Sequence, residues 1–222
     1  MSEQTTASSS KALVTNLMAA VRPLVTDLHG QSWEEIETAV RNRMIELTEQ
    51  NKGRMIDAPS RRWLLIASMI LGAYRELRPL VEDEQTRLSI LRNAMVAPFK
   101  EGVSAYLADR FGISQGAPGE AFSRIVENFI ARGEERFGLS YTYVQEVQDG
   151  TRSFINIHKC LFNDFFRANG APEVTPICCA VDDLWAEELE KPQYGVRFDR
   201  PTTLARGDDM CRFQFTKITM KP

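Results

Sequence analysis

Nowhere in these 222 residues is there an apolar run of the length a bilayer demands. The longest, Trp63 to Tyr74 (WLLIASMILGAY), falls short of the roughly 20 residues that span a hydrocarbon core. It is flanked by Arg61, Arg62, Arg75 and Glu76, so it predicts a buried helix. The opening residues Met1-Ser2-Glu3-Gln4-Thr5-Thr6 carry neither the basic start nor the apolar stretch of a signal peptide. The expected location is cytoplasmic, with no membrane partner. A basic excess is also missing: Lys+Arg 27 against Asp+Glu 30 gives a net charge of -3, without a run of like charge, and no nucleic-acid partner is expected. Paired cysteines at C-x₂₋₄-C spacing, the mark of structural zinc, do not occur. A phosphate-binding G-x-x-x-x-G-K-[ST] loop is absent as well.

What is present is an ordinary globular composition, 43% hydrophobic and 26% charged, and a length that suits one compact domain. Residues 1–10 are Ser/Thr-rich and predicted disordered. From 11 to 137 the pattern is helical. Leu13, Leu17, Met18, Val21, Leu24, Val25 and Leu28 repeat at helical spacing, with a kink expected at Pro23. Ser32 followed by Glu35 predicts a capping box for a helix from Trp33 to about Thr48. Ser60 is the expected cap of the helix carrying the apolar stretch, which ends near Pro79. Glu82 to Arg110 reads as a helix broken at Pro98, and Glu120 to Glu135 as another, ended by Gly138.

From 138 to 222 the period changes. Leu139–Gln148 alternates as a strand, Asp149-Gly150 predicts a hairpin turn, and Arg152–Lys159 reads as its partner. Cys160–Ala168 and Pro176–Glu190 look helical. Gly195–Leu204 and Cys211–Thr219 form a closing hairpin around ARGDDM. The expected fold class is α+β: N-terminal helices, then an antiparallel sheet of about four strands with two inserted helices.

All four cysteines, Cys160, Cys178, Cys179 and Cys211, fall in the last third. In a reducing compartment they are free thiols, metal ligands or catalytic groups rather than disulfides. Strict alternation puts Ile155 and Ile157 on one strand face and Phe154, Asn156, His158 and Cys160 on the other. That second face either meets solvent or forms a polar site. Cys179 and Asp182, three apart on a helix, share a face. A thiol near a helix start can have a lowered pKa, and an acid one turn away can shuttle protons. The bland alternative is a buried, inert thiol, and one of Cys178 and Cys179 is expected in the core. Cys211 shares its strand face with Phe213 and Phe215, with Val196 and Phe198 expected opposite. Trp185, one turn beyond Asp182, packs or lines a pocket.

The order Asn156-Ile157-His158-Lys159-Cys160, then Cys179-Ala180-Val181-Asp182, then Cys211-Arg212-Phe213-Gln214-Phe215 resembles the L-2-amino-thiazoline-4-carboxylic acid hydrolase family. His158-Lys159 stands where that pattern has a Thr and a basic residue, and Cys178 adds a second thiol. The resemblance implies hydrolysis at a C=N carbon held between heteroatoms, which opens a cyclic aminothiazoline to a carbamoyl-cysteine. On that basis Cys160 or Cys179 is the expected nucleophile and Asp182 the general acid/base. Asn156 or His158 orients the substrate or stabilises developing charge, and Arg197 pairs with a substrate carboxylate. No cofactor is expected. The rival is zinc or iron held by Cys160, Cys179 and Cys211, activating water.

Two readings from other classes stand beside the enzyme. One is a non-catalytic small-molecule- or metal-binding sensory module of the four-vinyl-reductase type; the absence of a helix-turn-helix pattern or basic face argues against it. The other is a structural partner protein, its long amphipathic helices making a homodimer.

Overall fold

The computed structural model describes residues 15–114 and 116–218. The disordered start expected over residues 1–10 lies outside them, as do residues 11–14 of the first predicted helix and residue 219 of the last predicted strand. The first helix, α1, covers residues 15–21 and passes into a 3-10 turn at Arg22–Leu24. Pro23 therefore ends this helix rather than kinking it, because its ring removes an N–H and blocks the preceding turn.

Helix α2 (Trp33–Gln50) begins with the predicted capping box. The Glu35 N–H donates to Ser32 Oγ at 3.2 Å, and the Ser32 N–H donates to Glu35 Oε2 at 2.7 Å. Helix α3 (Ala58–Glu76) carries the apolar stretch, but its cap is Asp57 and not Ser60. Ser60 takes the third helical position, its N–H donating to Asp57 Oδ1 at 2.7 Å. Pro59 explains the earlier start: it fits the first turn, where an N–H has no helical acceptor. Helices α4 (Glu84–Lys100) and α5 (Val103–Phe111) occupy the broken helical segment expected over Glu82 to Arg110. The break falls at Gly102, the cap of α5, while Pro98 is accommodated inside the last turn of α4.

Helix α6 (Ala121–Phe137) ends at Gly138, whose φ of 63° is one that side-chain-bearing residues rarely adopt. Space is short there too. A Cβ on Gly138 would lie 2.1 Å from Asp57 Oδ2, the oxygen that accepts the Leu139 N–H at 2.7 Å. One aspartate thus caps α3 and ties it to the start of the sheet.

The strands are β1 (Tyr141–Gln148), β2 (Arg152–Cys160), β3 (Val196–Asp199) and β4 (Cys211–Lys217). Helices α7 (Leu161–Ala168) and α8 (Thr175–Leu189) are inserted between β2 and β3. All pairs are antiparallel in the order β1-β2-β4-β3, so the α+β expectation holds. The closing hairpin differs in one respect. Strand β3 stops at Asp199, because Pro201 has no N–H to give the ladder, and Arg200 is released from the sheet.

Two apolar clusters form the interior. One joins α2, α3 and α7 through Leu47, Leu71, Phe165 and Phe166. The other lies under the sheet and joins Phe111, Phe129, Ile155, Trp185, Phe213 and Phe215. Met95 and Tyr141 pack against both. Phe129, Phe198 and Phe215 meet with centroids 5.0–5.4 Å apart, a spacing favourable for aromatic contacts.

Candidate active site

A cavity of about 90 Å³ opens between the inner sheet face and helices α5, α6 and α8. Strand register decides which strand residues reach it. The β1–β2 pairing runs Thr142↔Lys159 and then Tyr143↔Ile157, so His158 is an extra residue on β2 with no partner. Such a bulge reverses the side-chain alternation beyond it. Ile157 and Cys160 therefore both face the cavity with Tyr141 and Tyr143, while His158 is exposed. This corrects the strict alternation, which set Cys160 on the face of Asn156 and His158. Asn156 stays on the opposite face, where its Nδ2 donates to Glu146 Oε2 at 3.0 Å. Neither Asn156 nor His158 lines the cavity.

Helix α8 supplies the opposite wall. Thr175, Cys178, Cys179, Asp182 and Trp185 recur at helical spacing and all line the cavity. Both adjacent cysteines therefore reach it, and Cys178 also packs against the helical core, as expected of one of the pair. Cys211 and Phe213 complete it from β4. All four cysteines are free thiols, each partly buried. Among the described residues no three His, Cys, Asp or Glu side chains come together as metal ligands.

Asp182 is held at both oxygens. The Trp185 indole N–H donates to Oδ1 at 3.0 Å and Arg200 Nη1 donates to Oδ2 at 2.9 Å. The second arm of Arg200 reaches Asp183. Arg200 lines the cavity and Arg197 does not: Arg197 is a surface residue paired with Asp199, its side chain 64% exposed.

The electrostatics of the cavity are those of a dry interior. Burial pushes the Asp182 carboxyl up, and Arg200, Trp185 and Arg110 hold part of that rise back. Burial raises every thiol, with Cys178 and Cys179 well above the ordinary range and Cys211 up to about 12. The lowered thiol pKa expected near a helix start is therefore not found. Cys160 is raised as well, but several groups oppose burial there. It is the N-cap residue of α7, its Sγ lies 3.4 Å from the Tyr141 hydroxyl, and the Phe162 and Asn163 N–H groups favour its anion. Cys211 is fixed differently, accepting the Leu204 N–H at 3.3 Å.

At the α5–α6 end stands a residue that motif reasoning passed over. Arg110 lines the cavity and is only 5% exposed. Its Nη1 donates to the Phe129 carbonyl at 3.0 Å, and its guanidinium lies 4.7 Å from the centre of the Phe129 ring. Gly133 makes room: a Cβ there would lie 2.8 Å from the Tyr143 ring and 3.2 Å from Arg110 Nη2. The only sequence signal was a charged residue within an otherwise apolar helical stripe.

Fold and cavity together define an α+β protein with a thiol- and carboxyl-lined internal site. The sequence model of the L-2-amino-thiazoline-4-carboxylic acid hydrolases matches residues 64–215, and the chain belongs to that family. The matched span contains every residue named above as lining the cavity. No curated protein matches the chain. Among solved structures, an Fe(II) unliganded H-NOX protein from K. algicida is 9% identical over 95% of this chain and 97% of that one. Its TM-score of 0.35 is too low to carry an argument. Among the described residues no helix is long and apolar enough to cross a membrane.

Proposed function

We propose that this protein hydrolyses a small heterocycle at a C=N carbon held between heteroatoms, of the 2-amino-thiazoline-4-carboxylate type, with Cys160 as nucleophile and Asp182 as proton shuttle. The observation that carries the reading is the convergence of Cys160, Asp182 and two arginines on one small, dry cavity in a chain of this family.

Cys160 is favoured over Cys179 because the start of α7 presents N–H groups to its sulfur and its thiol donates to the Tyr141 hydroxyl of β1, whereas Cys179 faces the Asp182 carboxyl. The resting thiol is protonated, so attack is coupled to proton transfer. Sulfur bonds to the ring carbon as the proton passes, by way of Asp182, to the ring nitrogen. The tetrahedral adduct collapses by breaking the ring carbon–sulfur bond, and the departing sulfur takes a proton. Water then adds to the enzyme-bound carbon, giving its proton to Asp182. Loss of Cys160 yields a carbamoyl product, and the thiol is regenerated. In this scheme Tyr141 and Arg110 take over the orienting roles first expected of Asn156, His158 and Arg197, while Arg200 holds the Asp182 carboxyl in place.

The test is turnover of 2-amino-2-thiazoline-4-carboxylate, followed by release of the product thiol, in the wild type and in Cys160→Ala, Cys179→Ala and Asp182→Asn. Loss in the first and third with activity in the second supports the assignment. Full activity in Cys160→Ala or Asp182→Asn removes it, and binding without turnover in the wild type moves the protein to the ligand-binding class.

A further inference from the structure

We infer that Arg110 is a carboxylate anchor, set where the catalytic cavity meets a wide basic groove that admits small anionic substrates. The inference rests on the hydrolytic reading of the same cavity and extends it to the residue that selects the carboxylate and to the route of entry.

Outside the cavity lies a groove of about 990 Å³, and Arg110 lines both spaces. Four further arginines line the groove: Arg61, Arg62, Arg132 and Arg136. Its acidic residues are fewer and mostly committed. Asp109 pairs with Arg136 at 2.7 Å, and Asp57 accepts the Ser60 and Leu139 N–H groups. Glu135 is the third. Among the described residues, Arg61, Arg62, Arg110 and Arg132 have no carboxylate within ion-pair distance. Burial and the neighbouring Arg136 both disfavour the charge on Arg62. On a chain of net charge -3 this is a local positive field. A cleft lined by one sign of charge raises the local concentration of the opposite ion and its rate of entry.

Arg110 is the innermost of these cations. Its surroundings are Phe111, Phe129 and Phe137 rings, the Tyr106 and Tyr143 side chains, and one carbonyl. Asp182 is near enough to favour its charge but is itself bound by Arg200 and Trp185. A guanidinium taken out of water without a counter-ion is costly to the fold. A ligand carboxylate in the cavity would supply the missing charge and meet the planar fork of donors in the geometry it favours. Arg200 cannot play that part, because both of its arms are already engaged with Asp182 and Asp183.

The experiment compares 2-amino-2-thiazoline-4-carboxylate with neutral 2-amino-2-thiazoline, by kinetics and by ligand-induced thermal shift. The wild type is expected to prefer the carboxylate by about 100-fold in kcat/KM, the scale of a desolvated charge pair, and to be stabilised by it alone. In Arg110→Met the preference falls to less than about tenfold and the thermal shift disappears, with Arg110→Lys between the two, since it keeps the charge and loses the fork. In Arg61→Gln/Arg62→Gln, kcat/KM for the carboxylate falls at low ionic strength and its salt dependence flattens. Undiminished preference and thermal shift in Arg110→Met, or in Arg110→Lys if the first variant does not fold, would overturn the anchor. The two arms separate this inference from hydrolysis itself. A carboxylate-dependent thermal shift lost in the variant, with no turnover in the wild type, keeps the anchor and removes the reaction. Turnover with undiminished preference in the variant does the reverse.

Discussion

The two ends of the cavity each hold a buried arginine, and they are treated in opposite ways. At the α8–β4 end, Arg200 keeps 10% of its side chain exposed and spans Asp182 and Asp183. At the α5–α6 end, Arg110 is as deeply buried and has an aromatic face and a carbonyl in place of a carboxylate. A buried ion whose partner is supplied by the protein holds something in position; here it aims the Asp182 carboxyl. A buried ion without one leaves charge for a ligand to complete. The satisfied end is therefore where the account puts proton transfer, and the unsatisfied end where it puts recognition.

The largest expected effect comes from removing the two groups proposed to react. Cys160→Ala and Asp182→Asn should each lower kcat by about 10³-fold or more, as for an acid/base or nucleophilic group, with product-thiol release as the measure. Stability divides the two arginines next. Arg200→Met strands Asp182 in the interior and should cost about 3 kcal/mol in urea unfolding. Arg110→Met removes a charge that has no protein partner and should change stability by less than about 1 kcal/mol or raise it. Equal losses would erase the distinction between the ends.

Smaller effects come from titration. The folded-state pKa of Asp182 is raised above the ordinary 3.8, so the folded protein holds that proton more tightly than the unfolded chain. Its contribution to stability is complete below pH 3.8 and is lost as pH rises through the raised value. The same group should give kcat/KM an acidic limb above the usual carboxylate range, absent from any residual activity of Asp182→Asn. Cys211, raised from the ordinary 9.0 to about 12, behaves alike at the other extreme. Tm should fall as pH climbs from 9 towards 12, and fall less in Cys211→Ala. The smallest effect belongs to Arg197→Gln. Its exposed pair with Asp199 should be worth less than about 0.5 kcal/mol, with no change in turnover; a large kinetic loss would return Arg197 to the site.

The parts of this structure that follow local rules were legible in the sequence. The Ser32 capping box, the stop at Gly138, the β1–β2 hairpin and the Cys211–Phe213–Phe215 face all rest on neighbours a few residues apart. Cys160 was identified as a site candidate but assigned to the wrong face, because a single unpaired residue at His158 reverses the alternation and leaves no local mark. Asn156 and His158 were drawn into the site by the same error. Arg197 was named without weighing Arg200, whose approach to Asp182 depends on the chain leaving the sheet after Asp199 and on α8 lying beside it. Arg110 could not be found from spacing, since its meaning depends on α6, β1 and α8 meeting around it in space.

The most direct test of the account is rapid-quench mass spectrometry of the protein during turnover of 2-amino-2-thiazoline-4-carboxylate, with the labelled peptide mapped. The account predicts a transient adduct on Cys160, absent from Cys160→Ala, which also makes no product. Turnover without any adduct, at an undiminished rate in Cys160→Ala, would contradict it.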